Sequence, residues 1–406
     1  MAGFIKRMYM TMNPPKAPPT PGVKPLRFGI LSTADICVQA LIQPAHSLPD
    51  IEVVAIGGRS KEKVETFAKK HGIRKIHSGP EGYQNLVDDP DIDAVYIPLP
   101  NTLHYEWTIK ALLGGKHVLV EKPIANTPEE AFRMHELAEE KGLVLLEAMH
   151  IRFHPAIQRV KSLVTSGEHG PIKKISTKLL LPKGLNKYSE SDFDLGKGSI
   201  MDIGCYNLEI LRFLTSSDPL SVDSASCEAT WPGVENLDTL ATSTLSFPNG
   251  ITADMTCNID TPFTLGFIPN FDFSVHIECE RGTINMSNFM APSLFHSITV
   301  KETGGHNRTE KAFRFTDGDE LTRGEEWWTT FHYQLTAFRD RVLTNEPRTW
   351  YSKEDSVVEA AWLQKIYSKM GMDVRPHSEY FLKTRADSAE YETRIEAFGI
   401  TTAGMG

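Results

Sequence analysis

Residues 28–37, FGILSTADIC, decide how the first third of the chain is read. Phe28 to Leu31 reads as the end of a buried strand, and a helical pattern starts near Ile36. The turn between them stands where a nucleotide-binding strand–turn–helix carries G-x-G-x-x-G. Its three glycine slots fall on Ser32, Ala34 and Cys37. The glycines of that pattern serve three separate ends, namely a tight turn, close approach of the backbone to a pyrophosphate, and close helix–strand packing. Ala34 and Cys37 are small enough for the last two, and Ser32 suits the turn if its φ is negative. N–H groups at the helix start still face an anion, and Ser32 and Thr33 add hydroxyls. Ser32, Thr33, Ala34, Asp35 and Ile36 are therefore the candidate phosphate cradle.

Short apolar runs separated by helical patterns continue on both sides of that turn. Strands are expected at 26–31, 51–58, 93–100, 116–123 and 142–149, and helices at 61–72, 102–115 and 127–142. Gly72 reads as a helix C-terminus. Thr127, Pro128 and Glu130 read as a capping box, with Glu130 reaching back. Continuous apolar strands with amphipathic helices between them mean a parallel sheet covered on both faces, with the ligand crevice at the strands' carboxyl ends. Pro98, Asn101, His104, Glu121 and Lys122 stand at those ends and complete the candidate cofactor contacts, with Glu147 nearby. An NAD-selective site wants a carboxylate at the end of the second strand. Here that position reads Gly57-Gly58-Arg59-Ser60, with Lys63 one turn on. No carboxylate repels a 2′-phosphate, and Arg59 offers a two-pronged donor, so NADP is favoured over NAD.

After residue 150 the texture changes to β-like runs at 172–181, 239–247, 250–259, 271–279 and 282–288, with helices near 155–166, 329–343 and 353–370. Several runs alternate apolar and polar residues, as in an antiparallel sheet with one face solvated or used for assembly. The expected organisation is a Pro-rich disordered tail (1–25), a Rossmann-type doubly wound α/β domain (26–150), an α+β domain with a large, mainly antiparallel open sheet (151–345), and a C-terminal helix and tail (346–406). An exposed sheet face is an apolar or edge liability in a monomer, so a homodimer through that sheet is expected. The acid-free tail is also compatible with an organelle-targeting segment.

The net charge of −9 over 406 residues argues against a nucleic-acid partner. No apolar run is long enough to span a membrane. The five cysteines show no C-x-x-C pairing, which points to a reducing, cytoplasmic setting. His104, His150 and His154 lack metal-ligand spacing and read as packing or hydrogen-bonding residues, so no metal is expected. Trp327, Trp328 and the run 331–334 read as core or interface.

GGKHVLVEKPIANTPEEA (114–131) resembles the signature region of the glucose–fructose oxidoreductase, inositol dehydrogenase and MocA-like family, whose E-K-P stands here as Glu121-Lys122-Pro123. LLEAMHIRFHP (145–155) and LGKGSIMDIGCYNLEILR (195–212) resemble the blocks that follow it, over about residues 26–370 in all. The wording is similar to dimeric dihydrodiol dehydrogenases and NADP-dependent D-xylose dehydrogenases. That resemblance implies hydride transfer between NADP and a carbinol carbon of a sugar, polyol or cyclic diol, and a cis bond before Pro123. Segment 182–194 lacks the Asn/Asp-Ile-Arg element of such relatives, which leaves the substrate open.

Asp202 and Tyr206 are spaced i, i+4 and share a face if 200–214 is a regular helix. A phenol is a poor base, but a nearby ammonium and a positive nicotinamide favour phenolate. Tyr206 is the candidate general acid/base, Lys122 its tuning and orienting partner, and Asp202 a positioning residue. A non-redox, cofactor-sensing regulator and a biosynthetic enzyme for a bulky metabolite are the alternatives.

Overall fold

A computed structural model describes residues 2–185, 189–229, 233–234, 236–305, 307–318, 323–343 and 345–384. The chain divides into two units, one of residues 1–153, 324–356 and 377–406, the other of 154–323 and 357–376. The boundaries expected at 150 and 345 therefore give way to a chain that leaves the first unit twice and returns to it twice.

In the first unit the apolar runs form six parallel strands: β1 (Leu26–Leu31), β2 (Ile51–Gly58), β3 (Lys75–Ser78), β4 (Ala94–Ile97), β5 (His117–Val120) and β6 (Leu145–Glu147), in the order β3-β2-β1-β4-β5-β6. The order reverses between β1 and β4, so the crevice of a doubly wound sheet opens where residues 32 and 98 follow their strands. Strands covered on both faces must be apolar throughout, and Phe28, Ile30, Val95, Tyr96, Val118 and Leu119 are all fully buried. Gly29 lets the helix Gly82–Val87 pack close, since a Cβ there would lie 2.8 Å from Leu86 Cδ2. That helix and β3 were not expected; six and four residues are too few to show a period.

Ser60 caps the helix Lys61–His71, and Gly72 ends it at φ +71°. Thr127 Oγ1 accepts the Glu130 N–H at 3.3 Å, a cap worth about 1 kcal/mol. The Glu130 carboxylate reaches back to the N–H of Asn126 (3.2 Å) rather than that of Thr127, and its other oxygen accepts from Ser378 N–H (2.7 Å).

Both expected tails need correction. Residues 2–12 form a helix; Thr11 Oγ1 donates to the Trp327 carbonyl (3.1 Å), and Ala17 N–H to that of His46 (3.0 Å). At the other end Glu379–Thr384 is helical and Phe381 meets Tyr105 edge-on at 5.2 Å. These segments are ordered by partners distant in sequence, which local composition does not register. Residues 385–406, the rest of the expected C-terminal tail, lie outside the described residues, as do 186–188 of the divergent segment.

In the second unit β7 (Ile172–Pro182), β8 (Ser221–Glu228), β9 (Leu240–Phe247), β10 (Ile251–Thr261), β11 (Asp272–Cys279), β12 (Gly282–Ser287), β13 (Ser297–Glu302) and β14 (Asn307–Glu310) form one sheet, ordered β14-β13-β12-β11-β7-β10-β9-β8. Only β7 and β10 are parallel neighbours among these described strands. Strands β8, β13 and β14 add to those expected. Ile175, Leu179, Ala253, Met255, Val275 and Ile277 line the inner face, against which the helix Cys205–Thr215 packs. The outer face carries Ser176, Lys178, Thr242, Thr244, Asp254 and Thr256 around a shallow cleft. The apolar liability expected of that face is absent, because the alternation puts small hydroxyl and charged side chains outward.

Candidate active site

The turn after β1 departs from the backbone its sequence leads one to expect. Ser32 has φ +158°, at the edge of the region that favours glycine, so the condition of a negative φ is not met. The strand–turn–helix imposes the backbone whatever residue occupies the slot. Ser32 Oγ compensates locally by accepting the Ala34 N–H at 3.0 Å. Cys37 N–H donates to the Ala34 carbonyl (3.0 Å) and Val38 N–H to that of Asp35 (3.2 Å), after which Val38–Ile42 is a π-turn. The first N–H groups of a helix have no partner within it and suit an anion, although those of Ala34, Cys37 and Val38 are engaged locally here. Burial pushes the Cys37 thiol up to about 12, which leaves it a neutral packing group.

At the end of β2, Arg59 is exposed and hydrogen-bonds Tyr83, whose phenol is raised by burial and eased back by that guanidinium. Tyr83 in turn meets Trp107 edge-on at 5.1 Å. Ser60 Oγ accepts the Lys63 N–H at 3.5 Å, which gives Ser60 a capping role. Small side chains at 34 and 37, hydroxyls at 32 and 33, a helix start and a cation with no carboxylate among residues 57–61 fit a dinucleotide bearing an extra phosphate.

Pro98 is buried, and Asn101 opens a short 3-10 turn, Asn101–Leu103, that leads into the helix His104–Leu113. The Lys122–Pro123 bond is cis, as the family resemblance implies. The residues around it are held by buried polar groups. Tyr96 donates its hydroxyl to Glu121 Oε1 (2.6 Å), and Glu147 Oε1 accepts the Ile124 N–H (3.0 Å). His104 has Nδ1 2.9 Å from the Pro123 carbonyl and Nε2 2.8 Å from that of Leu99. A neutral imidazole donates to only one of two acceptors, yet desolvation outweighs both carbonyls and lowers His104 to about 4. His150 is lowered to about 3, first by burial and then by the Lys122 ammonium, which also acts on His104. Burial raises the Glu121 carboxyl, against the pull of Tyr96 and Lys122. Glu121, Lys122, His104 and His150 thus share one electrostatic neighbourhood. His104 has both ring nitrogens on backbone carbonyls, and His154 caps the helix Pro155–Thr165 through Nδ1.

In the second unit Ile200–Gly204 is a π-turn that runs directly into Cys205–Thr215. Asp202 lies on the wider turn and Tyr206 on the α-helix, so the i, i+4 reading, which assumes a regular helix, does not hold strictly. Asp202 N–H donates to the Gly198 carbonyl at 2.7 Å, and Tyr206 is 5% exposed. The segment before them is fixed by residues that sequence reasoning missed. Asp238 Oδ2 accepts from Ser199 Oγ and Ile200 N–H, both at 2.7 Å. Its Oδ1 accepts from Tyr367 (2.8 Å) and Arg375 (3.2 Å), and Arg375 also donates to the Lys197 carbonyl. Gly198, at φ +135°, is where this closeness requires glycine: a Cβ would sit 2.3 Å from Asp238 Oδ1. The glycine-rich run 195–204 was the visible signal; nothing local marked Asp238, Tyr367 or Arg375.

A chain that combines a six-stranded doubly wound sheet and this turn with a second unit of open, mainly antiparallel sheet has the two-domain make-up of a nicotinamide-dependent oxidoreductase. Residues 26–149 match the family described as "Oxidoreductase family, NAD-binding Rossmann fold", and 157–285 match the "GFO/IDH/MocA C-terminal domain". The chain belongs to the Gfo/Idh/MocA oxidoreductases. It is 35% identical over 349 residues to D-xylose 1-dehydrogenase (NADP(+)) 2 of Haloferax volcanii, covering 84% of this chain and 96% of that one. It is 30% identical to trans-1,2-dihydrobenzene-1,2-diol dehydrogenase of Bos taurus, over 58% of this chain and 68% of the relative. A 3-ketoreductase from Actinomadura kijaniata, solved with TDP-benzene and NADP, shares the fold at TM-score 0.72 and 23% identity, covering 85% of this chain and 98% of that one. No helix among the described residues is long and apolar enough to cross a membrane.

Proposed function

We propose that this chain is an NADP-dependent dehydrogenase acting on a carbinol carbon of a sugar, polyol or cyclic diol. The observation that carries the reading is the fixed position of residues 121–124, where Tyr96, His104 and Glu147 commit buried polar groups to one short stretch around Lys122. NADP, when bound, would supply a reversible hydride acceptor for the carbinol carbon. Ser32, Thr33, Ala34, Asp35 and Ile36 would hold its pyrophosphate. Arg59, Ser60 and Lys63 would hold its 2′-phosphate, and Pro98, Asn101 and Glu121 would line the approach to its ring. His104 serves through position, by bracing the Pro123 carbonyl. Tyr206 takes the hydroxyl proton during oxidation and returns it during reduction. Lys122 donates a hydrogen bond to the same oxygen and favours the phenolate, and Asp202 orients the substrate.

The test is turnover of a panel of aldoses, polyols and diols with NADP⁺, read as absorbance of the reduced cofactor. Y206F is expected to lose about 10²–10⁴-fold in kcat, and K122A a comparable factor, with cofactor still bound. Undiminished turnover in both variants defeats the assignment of roles. Cofactor binding without turnover on any panel member supports the regulator alternative.

A cytoplasmic setting is part of the reading, supported by five cysteines that form no disulfide among the described residues. So is a homodimer through the second unit's sheet. Its support is the group of apolar side chains Phe263, Leu265, Phe267 and Phe271, exposed on the loop between β10 and β11 at the end of that sheet's central strands. Light scattering on the purified chain is expected to give twice the chain mass.

A further inference from the structure

The loop after the helix Pro155–Thr165 brings Glu168 and His169 to Glu302, the last residue of β13. One donor atom from each of the three lies within 4.8 Å of the other two. His169 is only 2% exposed, and its Nε2 has no hydrogen-bond partner among the described residues. The nearest ionisable oxygen to it is Glu168 Oε2, at 3.8 Å. A buried ring nitrogen without a partner is an unfavourable arrangement in a protein alone.

Arg308 organises the carboxylates. It donates to Glu302 Oε1 (2.9 Å) and to Glu310 Oε1 (2.9 Å), and lies 3.3 Å from Glu168 Oε1. Glu310 is also held by Arg159, at 2.6 Å. Three carboxylates therefore face two guanidinium groups, an excess of one negative charge. Arg281 adds a donor to the Glu168 carbonyl, and its charge is matched by Glu280. Arg308 grips Glu302 through Oε1 and holds Glu168 less closely, with Glu168 Oε2 accepting at 3.4 Å.

We infer that Glu168, His169 and Glu302 form a binding site for a divalent transition ion of the zinc type. One imidazole nitrogen with two carboxylate oxygens suits zinc rather than calcium or magnesium, which take oxygen ligands alone. Zinc bonds of about 2.0–2.2 Å require the donors to draw together from their present spacing. Glu168, whose side chain is 51% exposed, is free to make that movement, while His169 and Glu302 are held by the fold. Arg308 then plays the part of the hydrogen-bonded neighbour that orients a ligating carboxylate. The ion clips the 166–171 loop to the β13–β14 hairpin, and it uses none of the residues assigned to hydride transfer.

The experiment is calorimetric titration of the chelator-treated full-length chain with Zn²⁺, with melting temperature followed in parallel. One saturable equivalent and a rise in melting temperature are expected. H169A and E302Q should each weaken binding by about 10–100-fold. E168Q, a change at an exposed side chain that leaves folding intact, should weaken it in the same direction. C227S controls for the half-buried thiol and should titrate like the parent chain. Absence of a saturable equivalent overturns the inference, and so does equal affinity in H169A, E302Q and E168Q, which would show adventitious surface binding only.

Discussion

The turn at 32–37 and the segment 198–206 are both short helix entries, and they are stabilised in opposite ways. Ser32 meets an unfavourable backbone with its own hydroxyl, two residues from the N–H it satisfies. Gly198–Ile200 is instead gripped by Asp238, Tyr367 and Arg375, from two distant parts of the chain. A self-contained turn tolerates residue changes one at a time. A segment held by a buried charged network depends on all its members at once.

The two units differ in the same sense, and acid exposes it first. The histidines driven down to about 3–4 by burial, His104, His135, His150 and His332, all belong to the first unit. Each stays neutral when folded and takes up a proton when unfolded below about pH 6.5, the ordinary histidine value. Stability is therefore full above pH 6.5 and falls toward pH 4, by up to about 1.4 kcal/mol per pH unit for each histidine. Hydrogen exchange read by mass spectrometry between pH 7 and 5 should show the first unit loosening before the second; equal loosening would erase the contrast.

D238A strikes the network itself. It leaves the Arg375 charge buried, and a loss of about 3–5 kcal/mol is expected from denaturant unfolding. A shift within experimental error would mean the network is no more than packing. G198A tests the same closeness sterically: overpacking should remove about 1–3 kcal/mol and lower kcat through displacement of Asp202 and Tyr206. R59A moves to the other region, where it should weaken NADP⁺ binding by about tenfold and leave NAD⁺ binding unchanged, as measured by fluorescence titration. S32G is the mildest. Freeing the Ala34 N–H and relaxing the backbone should tighten cofactor binding about two- to fivefold, consistent with one hydrogen bond of about 0.5–1 kcal/mol. Weaker binding in S32G would show that the hydroxyl itself holds the pyrophosphate.

Much of the architecture was legible from local pattern. Continuous apolar runs, Thr127 as a cap, Gly72 as a helix end, and the missing carboxylate after β2 are encoded within a few residues, because strand burial, helix capping and charge at a strand end are short-range consequences of side-chain chemistry. The E-K-P stretch was equally visible. The helix at 2–12 and the order of residues 375–384 were read otherwise, since each depends on which distant surface covers a segment. The same holds for His104 between two carbonyls and for Arg375 beneath Gly198. A buried polar group finds its partners wherever the fold brings them, and the free energy that selects those partners comes from excluding water in three dimensions.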